Sequence, residues 1–281
     1  MPNVVRVGDV AYCLEGRLAR GESSDVFLGR RARRVTERVV LKVLRARANG
    51  DLLEREHATL RALQTSTAPG TPYFSRTIPE VVQKGHLRDD DGTERPTLIL
   101  RHLSGFSPTL ADVREAYPRG VDPRAAVWMW RRALETLGWV HDSGWVHGAV
   151  VPQHLVVHPR DHGALLVGWS CAGRPSEAPI ARVADRGDFY PAASSANATD
   201  ALRPELDLVM SARCIAFVLG GDARTGEVPS SVPAQLAALV REHSSGAPGD
   251  ARALHEALGA AAKSAFGPPA YHAFVMPDPK P

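Results

Sequence analysis

Along the first hundred positions, apolar residues fall in short β-branched and aromatic runs separated by turn residues, a pattern that predicts strands. Candidate strands cover residues 12–19, 25–30 and 38–44, with Gly21-Glu22-Ser23-Ser24 turning between the first two. The run Arg38-Val39-Val40-Leu41-Lys42-Val43-Leu44 has the β-branched character of a buried strand. Two further strands are predicted over residues 78–83 and 96–102, around an Arg88-Asp89-Asp90-Asp91-Gly92 turn. One helix interrupts the series: Leu52, Leu53, Leu60 and Leu63 recur at helical spacing over 51–64, with Asp51 placed to cap it.

Beyond residue 103 the period becomes helical. A short helix is predicted over 109–116, and Asp122-Pro123 supplies the cap and first turn of a longer one ending near 141. Residues 145–171 form a strand-and-loop passage containing Leu155-Val156-Val157 and Ala164-Leu165-Leu166-Val167. Residues 172–204 are rich in Ala, Ser, Pro and Gly and read as a long loop; helices follow over 204–219, 232–243 and 250–266. The proline-rich end, 267–281, reads as extended chain. A strand-rich first part and a larger helical second part predict an α+β protein with a cleft between them.

Composition narrows the function classes. With 281 residues, 44% hydrophobic and 23% charged, the chain has ample material for a core, which excludes fibrous and wholly disordered readings. No apolar run approaches the ~20 residues that cross a bilayer, and the first ten residues lack the plan of a secretory signal. Cys13, Cys171 and Cys214 lie far apart without metal-ligand spacing, so reduced thiols in a cytoplasmic protein are expected. The net charge is +3; residues 1–101 carry 18 Lys/Arg against 13 Asp/Glu, and the rest 16 against 18. That asymmetry is too mild to expect a nucleic-acid partner, and no membrane partner is expected either. Of 34 basic residues only Lys42, Lys84, Lys263 and Lys280 are lysines, so the position of each is informative. The basic turn from Arg30 to Arg34 reads as a solvated hairpin tip, with contact to an acidic protein surface as the alternative.

The order of segments resembles a known family. Leu18-Ala19-Arg20-Gly21-Glu22-Ser23-Ser24-Asp25-Val26 is similar to the glycine-rich loop of protein kinases, with Ala19 and Ser24 in the first and third glycine places. Lys42 follows Val26 by sixteen residues in Val39-Val40-Leu41-Lys42, which resembles the kinase V-A-I-K strand. Glu56 stands where the family's first-lobe helix carries the glutamate that pairs with that lysine. Residues 137–170 resemble the helix, catalytic loop and hairpin of the family, with His147 at the loop histidine and Trp169 at the DFG phenylalanine. Asp207 resembles the buried aspartate that opens the central helix, and Tyr190-Pro191-Ala192-Ala193 the end of the activation segment. The chain is thus identified as similar to the bacterial protein-kinase-like family in catalytically degraded form, a pseudokinase. The resemblance implies a bilobal protein-kinase-like fold: a small β-rich N-lobe at 1–102, a larger helical C-lobe at 103–267 and an extended tail at 268–281.

What the resemblance implies for chemistry is mostly loss. Kinase transfer uses a loop Asp as base, and a loop Asn and the DFG Asp to hold Mg²⁺. Here those places are Ala149, His154 and Gly168. Ala149 has no base and Gly168 no ligand, and imidazole is a poor partner for a hard, oxygen-seeking cation. Gly148 replaces the arginine that receives a loop phosphate, and Ala193 the glutamate that braces a peptide platform. Val40 adds bulk where the family has an alanine beside adenine. Gly21, Val26, Lys42 and Glu56 remain as a vestigial nucleotide site, with no metal and no required cofactor; ATP held without metal stays open. The expected function is that of an inactive pseudokinase that works by binding protein partners. The alternatives are a metal-independent nucleotide sensor and a non-phosphoryl transferase. The segment Phe274-Val275-Met276-Pro277 is apolar enough to dock on the helical part or on a partner.

Overall fold

The computed structural model describes residues 3–34, 36–88, 92–191 and 201–277. Six strands come first: β1 (Asn3–Val7), β2 (Val10–Arg20), β3 (Ser24–Arg31), β4 (Arg38–Leu44), β5 (Val81–Arg88) and β6 (Glu94–Arg101). Helix α1 (Gly50–Gln64) and the single turn α2 (Thr71–Phe74) lie between β4 and β5. All strand pairs are antiparallel, in the order β1-β2-β3-β4-β6-β5, and β5 returns to β1 through Val7 opposite Leu87.

This closed six-stranded barrel corrects the expected bilobal protein-kinase-like fold with its small β-rich N-lobe and larger helical C-lobe. The cause is β1, which the strand pattern did not single out. It pairs with β2 along its whole length and also meets β5, so the edge an open sheet would leave unpaired is removed. Side chains complete that seam. The Tyr12 hydroxyl donates to Gln83 Oε1 at 2.8 Å, and Gln83 Nε2 donates to the Val7 carbonyl at 2.9 Å. Gly85 lets the strands approach, since a Cβ there would sit 2.8 Å from Val7 Cγ1.

The strand period divides β4 between two cores. Val39, Leu41 and Val43 fill the barrel with Val7, Tyr12, Leu87 and Ile99. Val40 and Leu44 face the other way and join a second core with Leu53, Leu60 and Leu63 of α1 and Leu98 and Leu100 of β6. The same alternation puts Lys42 on the α1 side. Apolar residues on both faces explain why this strand reads as a continuous hydrophobic run.

That second core runs on into the helices α3 (Leu110–Ala116), α4 (Pro123–Asp142), α5 (Pro204–Val218), α6 (Ala234–Ser244) and α7 (Ala251–Phe266). Asp122 caps α4 as predicted, accepting from the Arg124 amide, and two further caps appear: Thr109 and Asp112 form a reciprocal capping box on α3, and Asp250 accepts from the Ala253 amide on α7. The cap expected at Asp51 is corrected: α1 begins at Gly50 after Asn49, so Asp51 lies inside the first turn. A small hairpin of β7 (Leu155–His158) and β8 (Gly163–Leu166) lies between α4 and α5. The predicted strand over 78–83 shifts toward the C-terminus: Ile78 is buried in the second core and β5 begins at Val81.

Residues 267–277 run extended over the helical part. Phe274 is buried, with its ring 5.7 Å from Tyr117 and 5.9 Å from Trp128. The Tyr117 hydroxyl donates to the Val275 carbonyl, and the Tyr271 hydroxyl to the Arg160 carbonyl at 2.9 Å. The basic turn is largely neutralised from within: Arg30 and Arg38 meet Glu15, and Arg31 and Arg34 meet Glu37. No described helix is long and apolar enough to cross a membrane. Asp89, Asp90, Asp91, Ala192, Ala193 and Lys280 lie outside the described residues.

Candidate functional site

The residues singled out by their order in the chain meet where β4, α1 and the β7–β8 hairpin converge. Lys42 projects from β4 toward α1, and its ammonium pairs with the carboxylate of Glu56. A third group, which the sequence reading missed, closes the set: Ser170 Oγ accepts from Lys42 Nζ at 3.2 Å and donates to Glu56 Oε2 at 2.8 Å. Ser170 lies on a 3₁₀ turn (Trp169–Cys171) just after β8, packed against α1. Its sequence signal is weak, because a serine in a turn carries no periodic mark. Glu56 is 1% exposed. Burial acts to raise its carboxyl, but the Lys42 charge and the hydrogen bonds from Lys42 and Ser170 together outweigh that and hold it below the usual range. Glu56 therefore stands as a carboxylate facing Lys42, with Ser170 bridging the two.

Val26 lies opposite Lys42 across the β3–β4 ladder. Gly21 sits in the β2–β3 turn, but its amide is spent on the Ser24 carbonyl at 2.8 Å, and its own carbonyl accepts from Arg45 at 3.2 Å. The Gly21 amide is therefore not free to meet a phosphate.

Ala149, His154 and Gly168 come together beside Lys42, and their packing is specific. The carbonyl of Ala149 can only accept, so His154 Nδ1 carries the proton and donates to it at 2.8 Å. The imidazole then lies directly over Gly168. A Cβ on Gly168 would fall 2.4 Å from His154 Nε2 and 2.5 Å from two ring carbons, and the glycine holds φ +80°. The space a carboxylate-bearing side chain would need at position 168 is filled by His154. Burial, followed by neighbouring His147, lowers the His154 imidazolium to about 4, so the ring is neutral near pH 7.

His147 is neutral by the same cause, burial, and its Nε2–H donates to the Val167 carbonyl at 3.0 Å while Nδ1 accepts from the Ala149 amide at 3.3 Å. Its ring meets Trp169 edge-on at 4.5 Å, and Trp169 Nε1 donates to the Leu166 carbonyl. Beneath the loop, buried Asp207 at the start of α5 accepts from the amides of His147 and Gly148, each at 2.8 Å, and lies 3.0 Å from His141 Nε2. Gly148 holds φ +72°, and a Cβ there would meet the Cys171 carbonyl at 2.7 Å. An arginine at that position is sterically excluded. Cys171 is pushed up to about 11 by burial and offers no ready thiolate.

Chemically, the centre holds one ammonium, one carboxylate committed to it, a bridging hydroxyl and two neutral imidazoles. Mg²⁺ needs several oxygen ligands in near-octahedral array. Glu56 Oε2 accepts from both Lys42 and Ser170, Asp207 is spent on the two loop amides, and no group of three or more His, Cys, Asp or Glu among the described residues is placed to hold a metal, so the residues do not fit that ion. A scan against protein-family models finds no match, and a search of curated proteins finds none either.

Proposed function

We propose that this chain carries out no phosphoryl transfer and acts as a regulator that binds another protein, the pseudokinase role implied by its sequence resemblance. The reading rests on residues and not on a kinase-like fold. The observation that carries it is the contact between His154 and Gly168. A neutral, buried imidazole occupies the volume where a metal-binding carboxylate would have to stand, and Ala149 beside it has no proton acceptor. Transfer of this kind depends almost wholly on positioning and charge neutralisation, so these substitutions remove its main terms. A reducing, cytoplasmic setting belongs to the proposal and is supported by three cysteines that are free and buried.

The test is incubation of the full chain with γ-labelled ATP, Mg²⁺ or Mn²⁺ and generic protein substrates, beside a Lys42→Met variant. Labelling is expected to be the same in both. Label transfer that requires Lys42 overturns the proposal.

A further inference from the structure

A second site lies on the helical part, where α4, α7 and the extended C-terminal segment border a half-open cavity of about 430 Å³. Four cationic side chains, Arg124, Arg131, Arg132 and Lys263, border it together with His162 and His272. Two of these charges are compensated. Arg132 pairs with Glu135 at 2.7 Å, and Arg124 lies 3.5 Å from Asp122. Arg131 and Lys263 make no ion pair among the described residues, which leaves two uncompensated positive charges around one cavity. Lys263 is one of the chain's four lysines.

The walls are built around these groups. Gly259 occupies the interior of α7, where glycine is unfavourable, and a Cβ there would fall 2.7 Å from the Arg131 guanidinium. The Arg124 guanidinium rests over the Phe266 ring at 4.7 Å. Three ring or guanidinium nitrogens in the same wall, Arg124 Nε, Trp128 Nε1 and His162 Nε2, have no hydrogen-bond partner among the described residues, on side chains that are themselves only partly buried. Trp128 is held by a stack with His162, 4.4 Å apart, which is covered in turn by Tyr271 at 4.6 Å. The remaining lining includes Ala262, Pro268 and Pro269, which is apolar.

We propose that this cavity binds a small phosphate monoester, with Arg131 and Lys263 on the phosphate and the apolar wall against its organic part. Two uncompensated cations match a dianion rather than a monocarboxylate, and the guanidinium fork suits phosphate oxygens. The volume suits a small molecule. The site is independent of the proposed function of the Lys42 centre.

The test is calorimetric titration of the full chain with phenyl phosphate, inorganic phosphate and benzoate at constant ionic strength. Phenyl phosphate is expected to bind saturably, and at least about tenfold more tightly than either of the others. Arg131→Gln and Lys263→Gln are each expected to weaken it about tenfold, while Arg20→Gln on the barrel changes nothing. Lys263 is exposed, so its variant carries the test if Arg131→Gln fails to fold. The proposal is overturned by absence of saturable binding, by equal affinity for benzoate or inorganic phosphate, or by an equal loss in Arg20→Gln.

Discussion

Restoring an aspartate at position 168 provides the sharpest test of how the central site is packed. Gly168→Asp meets two separate costs. The backbone there is left-handed at φ +80°, which costs an L-residue about 1–2 kcal/mol. The new Cβ would also lie 2.4 Å from His154 Nε2, and overpacking of this kind costs about 1–3 kcal/mol. Together they give a loss of about 2–5 kcal/mol, a large share of the ~5–15 kcal/mol that holds a typical domain folded. The steric part belongs to the pair and not to residue 168 alone. His154→Asn loses the ring and its bond to Ala149, about 1 kcal/mol for the hydrogen bond plus packing, but it makes room for the aspartate. The double variant should therefore be more stable than the sum of the singles predicts, with a coupling of about 1–3 kcal/mol. Urea unfolding of all four proteins measures this directly. If Gly168→Asp leaves the midpoint unchanged, or if the two effects simply add, then His154 does not fill the space and the packing argument fails.

Three further outcomes follow from the same structure. The His154 imidazolium is lowered from the ordinary 6.5 to about 4, so between those values the unfolded chain binds the extra proton. Stability should then be full above about pH 6.5 and fall as pH drops toward 4, by about 3 kcal/mol in all; urea midpoints in His154→Asn should vary less over that window, and an unchanged pH profile would refute the assignment. Lys42→Met should destabilise by about 3–5 kcal/mol because it strands buried Glu56, whereas Lys42→Met combined with Glu56→Leu should recover most of the loss; thermal melts of both variants decide it. Ending the chain at Gly267 should cost about 1.5–3 kcal/mol from the lost burial of Phe274 alone, and an unaltered melting temperature would show that the segment does not dock.

Much of the local structure was legible without coordinates. Asp122 and Pro123 announce the start of α4, and a β-branched run marks β4, although the cap expected at Asp51 falls inside the first turn of α1. The scarcity of lysine drew attention to Lys42, and motif order placed Glu56 beside it. Those properties depend on neighbours in the chain, and neighbours are what a sequence displays.

Closure of the barrel was decided only in three dimensions. Nothing local in Asn3–Val7 says that Val7 will face Leu87, a partner eighty residues away, and that pairing separates an open sheet from a barrel. Ser170 is likewise silent in sequence, because its role exists only where α1 packs on the turn after β8. The contact of His154 with Gly168 shows the division most clearly. The sequence by itself determined that a histidine and a glycine replace two metal-binding residues of the resembled family. Only the tertiary structure decided that the histidine occupies the volume the glycine vacates, since exclusion between side chains fourteen residues apart is a property of packing and not of order.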